Sequence, residues 1–120
     1  MDYSLTREQA QLKAEITEFA RAELCGDLVT RDREQVFNRD GWLRCGARGL
    51  MALPIAKDWG GRGADAITAV AALEGLGYGC RDNGLWFAIN AHLWGCSIPL
   101  LTFGTDAQRQ TYLPRLCSGE

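Results

Sequence analysis

The side chains able to do chemistry in this chain are few, and their spacing does not assemble them. His92 is the only histidine, and it lies in a run, 83–105, that contains no charged residue. A lone imidazole in such a run reads as a hydrogen-bonded core group, and no nucleophile–base pair can be built around it. Five cysteines, Cys25, Cys45, Cys80, Cys96 and Cys117, are scattered without a C-x-x-C pair. A disulfide framework or a zinc site needs paired spacing and further ligands, so these read as reduced core thiols of a cytoplasmic protein. The acids gather at helix starts and in loops, where capping and solvation account for them. Glu74 is the exception: it falls in an apolar helix, and either faces outward or bridges to an arginine in a neighbouring layer. The glycine-rich pieces "WGGRGAD" and "GLGYG" lack the lysine and the preceding strand that a phosphate cradle requires. These residues give no catalytic, cofactor-binding or metal site.

What remains is a surface. Phe87, Ala88, Ala91, His92 and Gly95 share one helical face at i, i+1, i+4, i+5 and i+8. Three of the five are alanine or glycine. The face therefore leaves a groove that accepts either another helix or an apolar ligand, with Phe87 setting its depth. On the opposite side Leu85, Trp86, Ile89, Leu93 and Cys96 supply bulk for packing.

The elements that would position this face are all helical. Thr6 and Gln9 form a capping box for a first helix whose apolar stripe is Leu12, Ile16, Phe19, Ala20 and Leu24, closed by Gly26. Residues 27–39 are charged and poorly periodic, a loop with at most short helical pieces. A short second helix, about 40–48, turns Trp42, Leu43 and Cys45 or Gly46 inward, and Gly49 supplies its left-handed cap. An extended connection through Pro54 and the Gly60-Gly61 pair leads to a third helix capped by Asp65. Its inward stripe is Ile67, Val70, Ala71 and Leu73 or Glu74, and Gly75, Gly77 and Gly79 mark close helix approach or fraying. The fourth helix starts at Asp82 or Asn83 and runs to Phe103, kinked by Pro99. Thr105 and Gln108 box the start of a fifth helix carrying Tyr112, Leu113 and Leu116, which Pro114 stops or bends.

The composition fits this picture. With 120 residues, 47% hydrophobic and 23% charged, the chain is ordinary for one globular domain with a real core. A net charge of −2 without a basic block excludes nucleic acid as a partner. The opening "MDYSLTREQAQ" has neither the cationic nor the apolar region of a signal peptide. Residues 83–105 are long enough to span a bilayer, but Asn90, His92, Ser97, Thr102, Gly84, Gly95 and Pro99 dilute them and no basic cluster flanks them. A helix apolar on all sides then reads as a buried central helix near 83–103. The expected fold is all-α, about five helices, in one domain over 1–120.

Three segments, "WLRCGARGLMALPIAKDWGGRGAD", "YGC" and "IPLLTFGTDAQRQTYLPRLCSGE", together with the first amphipathic helix, resemble the N-terminal helical domain of the acyl-CoA dehydrogenase family. The last is the most specific: proline, an apolar run, G-T-x-x-Q-R, Y-L-P, then S-G-E. The resemblance implies a longer FAD-dependent parent, a homo-oligomer with a middle β-domain and a C-terminal helical bundle that this chain lacks. That parent would remove a proton and a hydride from the α and β carbons of an acyl thioester. The catalytic carboxylate and the flavin contacts would lie outside residues 1–120, so this chain would pack against the flavin domains without binding FAD alone. Carried over to this sequence, the acyl-chain wall falls on Phe87, Ala91 and Gly95, with Ala88 and His92 beside them. Acyl-CoA oxidases and some flavin monooxygenases share the domain. Two features depart from the family: Ala56-Lys57-Asp58-Trp59 replaces its proline, two acids and aromatic, and Trp86 and Trp94 make the fourth helix unusually aromatic. A second reading is a stand-alone helical binding module that kept the fold and lost the enzyme.

Overall fold

Helix α1 (Arg7–Glu23) starts where the sequence says it should. Thr6 Oγ1 accepts the Gln9 amide at 3.2 Å, and the Gln9 side chain accepts the Thr6 amide at 3.0 Å. The computed structural model, which describes residues 4–120, ends this helix at Glu23 with Leu24 as the cap, ahead of the expected Gly26. Ile16, Phe19, Ala20 and Leu24 are buried as expected.

The partner of α1 is α4 (Ala66–Gly79), capped by Asp65, whose carboxylate accepts the Thr68 amide at 2.8 Å. The two run parallel. Gln9 donates to Thr68 Oγ1 near their starts, Thr17 Oγ1 donates to the Gly75 carbonyl further on, and Cys25 Sγ meets the Gly79 carbonyl at their ends. Gly75 and Gly79 make this closeness possible, because a Cβ on either would collide with the carbonyl oxygen of Lys13 or Thr17. The inward side of α4 is accordingly Ala69, Ala72, Leu73 and Leu76. Ile67 and Val70, expected on the inward stripe, are instead 63% and 56% exposed. A backbone-to-backbone seam takes the small residues and turns the β-branched ones out. Glu74 bridges to Lys13 of α1 at 2.9 Å rather than to an arginine.

The charged stretch after α1 holds one short helix, α2 (Leu28–Glu34). Helix α3 (Arg39–Ala47) begins at Asn38, whose Oδ1 accepts the Gly41 amide at 2.9 Å. Cys45 and Gly46 face the core, but Leu43, expected inward, is exposed. Gly49 takes the left-handed conformation, φ 74°. Residues 50–63 are not the extended connection expected from Pro54. They form two 3₁₀ turns, Leu50–Ala52 and Lys57–Trp59, and bury Leu50, Met51, Ala52, Leu53 and Ile55. Backbone buried this deeply needs partners. It finds them by folding back on itself: the amides of Arg62, Gly63 and Ala64 donate to the carbonyls of Ala52, Ile55 and Leu53.

Residues 83–103 form one continuous rod of changing pitch: α5 (Asn83–Asn90), a π-helical segment (Ala91–Ser97) and α6 (Ile98–Phe103). Asp82 caps it through the Leu85 amide at 3.0 Å. The kink expected at Pro99 is absorbed in the π segment, where the Ile98 amide reaches five residues back to the Leu93 carbonyl. Pro99 itself sits in the first turn of α6, where a missing N–H costs least. The wider π turns keep every fourth residue in line, so Leu85, Ile89, Leu93 and Ser97 are all fully buried. Cys96, expected among the packing residues, is exposed, and Ser97 takes its place with its hydroxyl on the His92 carbonyl.

Helix α7 (Asp106–Ser118) has the expected Thr105–Gln108 capping box but runs through Pro114, which lies on its exposed side. Leu113 and Cys117 are buried, and Tyr112 is exposed. With 83–103 taken as one rod there are six helices and no strand among the described residues. The expected all-α architecture holds, with α2 the addition to the expected five. The rod expected to be buried on all sides is buried along one line only: Phe87, Trp94 and Phe103 are exposed because no other element among the described residues covers them.

These helices make a slab of 42 × 38 × 21 Å. Its surface, 7442 Å², exceeds the roughly 6,400 Å² typical of a compact monomer of 13.2 kDa.

Candidate functional site

The rod presents the sequence-derived face as an open line. Phe87, 68% exposed, is followed one and two turns on by Ala91 and Gly95, both exposed, and Ala88 and His92 border the line half-buried. A Cβ built on Gly95 would meet nothing within 4 Å. No packing need inside this chain explains that glycine. The face is therefore a strip of small residues with one aromatic end.

His92 belongs to the scaffold of this strip. Its Nε2 lies 2.8 Å from the Leu116 carbonyl, and its ring meets the edge of Trp42 at 5.1 Å and 86°. Trp42 in turn donates from Nε1 to the Gly119 carbonyl at 2.7 Å. The two rings pin the last turn of α7, where carbonyls have no helical partners, against α3 and the rod.

An apolar groove of about 450 Å³ lies between α4 and the rod, lined by Val70, Leu73, Gly77, Tyr78, Trp86 and Trp94. Spacing alone hides this groove, because it turns Val70 inward, whereas Val70 is exposed here. Its signal was present in Trp86, Asn90 and Trp94, which recur every fourth residue along the rod.

Three of the cysteines, Cys45, Cys80 and Cys117, are buried. All five thiols are free. Burial pushes Cys45 up to about 12, with the neighbouring Cys80 and Glu23 adding to it. Burial likewise raises Cys80 to about 11, and raises Cys117. Thiols held protonated are poor nucleophiles. Among the described residues no group of acidic, histidine or cysteine side chains could hold a metal ion, and no helix is long and apolar enough to cross a membrane.

Asn90 spends its amide on the Trp86 carbonyl and His92 is held by Leu116. What the arrangement can do is wall an apolar group on one side.

Comparison with known proteins gives this wall a context. Residues 6–120 match the family described as acyl-CoA dehydrogenase, N-terminal domain. The L-prolyl-[peptidyl-carrier protein] dehydrogenase of Pseudomonas fluorescens is 34% identical over the whole of this chain and 31% of its own length. The crystal structure of the prolyl acyl carrier protein oxidase AnaB superposes with a TM-score of 0.93 at 47% identity, covering 97% of this chain and 31% of AnaB. PigA, solved with FAD and proline, superposes with a TM-score of 0.91 at 33% identity, over 99% of this chain and 31% of PigA. The chain thus spans under a third of the length of these relatives. By residues 6–120, this chain belongs to the acyl-CoA dehydrogenase family, whose N-terminal domain it is.

Proposed function

We propose that this domain serves a FAD-dependent enzyme that oxidises a small acyl thioester, with a prolyl group on a carrier protein as the substrate class. The observation that carries this reading is the 47% identity to the prolyl acyl carrier protein oxidase across 97% of the chain. In this reading Phe87, Ala91 and Gly95 wall the acyl group, flanked by Ala88 and His92. The absence of a packing role for Gly95 supports it, since space left beside a helix suits a ligand that approaches closely. The catalytic carboxylate and the flavin contacts belong to a middle β-domain and a C-terminal bundle outside residues 1–120. FAD, when bound there, accepts the hydride, and this domain orients the acyl group and keeps water from it. A cytoplasmic setting is part of the proposal, supported by five free thiols. A homo-oligomeric parent is too, supported by the slab's large surface.

The test is a reductive titration of the full-length flavoprotein with a prolyl thioester on its carrier protein and, separately, with a short acyl-CoA. Bleaching of the flavin by the prolyl thioester is the expected result. Bleaching by the acyl-CoA alone would move the substrate to a free coenzyme ester. A flavin that neither reduces would overturn the proposal.

A further inference from the structure

Helix α2 is attached to the domain unlike its neighbours. None of its residues is buried. It is bounded by Asp27 and Gln35, the two non-glycine residues with positive φ among the described ones, at 52° and 55°. Side chains stay in that region only when something holds the backbone there. At Gln35 the closing backbone bonds of α2 do this, from the Gln35 amide to the Asp32 carbonyl and from the Val36 amide to the Arg31 carbonyl, while beside Asp27 the holder is the side chain of Arg31. Its Nη2 lies 3.2 Å from Asp82 Oδ2, with both side chains largely shielded from water, and its Nη1 donates to the Gly26 carbonyl. Its Nε is buried with no hydrogen-bond partner. Beneath α2 lies a cleft of about 670 Å³ that reaches the start of the rod, lined in part by Leu28, Arg31, Gln35, Phe37, Asp82 and Gly84.

The roles of Asp82 are divided between its two oxygens. Oδ1 caps the rod through the Leu85 amide at 3.0 Å, while Oδ2 takes Arg31 and stands 3.5 Å from Asn38 Nδ2. Releasing Arg31 leaves the cap of the rod in place. The cap of α3 is made separately, by Asn38 Oδ1.

We propose that α2 is a hinged strap, pivoting at Asp27 and Gln35 and latched by the Arg31–Asp82 ion pair, that opens while the rest of the fold stays closed. Opening parts Arg31 from Asp82 and bares the cleft at the first turn of the rod.

Hydrogen exchange on the full-length protein tests this. Amides of α2 should exchange on the order of a hundredfold faster than those of α1 and α4, as a locally opening unit does. Arg31→Met keeps the apolar stem and removes the latch. It should speed α2 by a further tenfold or so, the scale of one charge-assisted bond, with α1, α3 and the rod unchanged. Exchange of α2 in step with α1 and α3, or a rise everywhere alike in Arg31→Met, would overturn the strap. Should that variant fail to fold, limited trypsinolysis of the wild type decides: the first cut within this domain should follow Arg31 or Arg33. A first cut at Arg44 or Arg115 instead rules the hinge out.

Discussion

The same substitution, glycine to alanine, should have opposite effects at two places in this chain. At Gly79 the new methyl would press on the Thr17 carbonyl and on Ala20 in the seam between α1 and α4. Gly79→Ala is expected to lower stability by about 1–3 kcal/mol, the cost of overpacking. At Gly95 there is open space, so Gly95→Ala should raise stability by up to about 1 kcal/mol through helix propensity. Urea midpoints of the two variants check both signs. Ala91→Phe bears on the acyl wall: because Ala91 is exposed, stability should move by no more than about 0.5 kcal/mol. Thioester turnover by the full-length enzyme should nevertheless fall tenfold or more; unchanged turnover would place the acyl group elsewhere. The thiols give a pH dependence. Cys45 holds its proton up to about 12 when folded, against 9.0 for the free group. The folded state therefore binds more protons than the unfolded chain between those values. Its contribution to stability is whole below pH 9 and declines as pH rises toward 12. The urea midpoint should drop more steeply above pH 9 in the wild type than in Cys45→Ala.

The elements whose ends are set by a single side chain were legible in the sequence, because a cap is a local bargain between one oxygen and one amide. Thr6, Asp65 and Thr105 all cap where expected, the rod starts at Asn83, one of the two expected positions, and Gly49 turns left-handed where expected. Thr105→Ala should cost about 1 kcal/mol, seen as a thermal midpoint lower by several degrees. The inward side of α4 was not legible. That helix is apolar nearly all round, and what decides its orientation is a parallel neighbour 58 residues away in sequence, bonded from Thr17 to Gly75. The π segment was hidden for another reason: spacing is read at 3.6 residues per turn, and the sequence does not announce where the pitch changes. Cys96 and Ser97 exchange places on that account. The candidate wall at Phe87, Ala91 and Gly95 was legible as spacing, since residues four apart stay aligned along this rod. What covers it lies outside the spacing.

At the scale of the molecule, the slab leaves apolar side chains bare on several flanks: Ile67 and Val70 on α4, Phe87 on the rod, and Phe103, 85% exposed, at its end. Patches of this kind mark docking surfaces. The 120-residue chain produced alone is therefore expected to bind an apolar dye or to self-associate, whereas the full-length protein should do neither through these faces. A monodisperse monomer that ignores the dye would count against docking. The isolated chain should also purify without flavin, and stoichiometric yellow cofactor on it would show that the flavin contacts lie within residues 1–120.

The pairing of α1 with α4 also sets a timetable. Partners along the seam, such as Gln9 with Thr68 and Thr17 with Gly75, are born 59 and 58 residues apart. At roughly 5–20 residues per second, α1 leaves the ribosome about 3 to 12 s before the helix that will cover it. During that interval Ile16, Phe19 and Leu24 have no seam to enter, and a nascent chain displaying them is a natural client for whatever shelters apolar segments during synthesis.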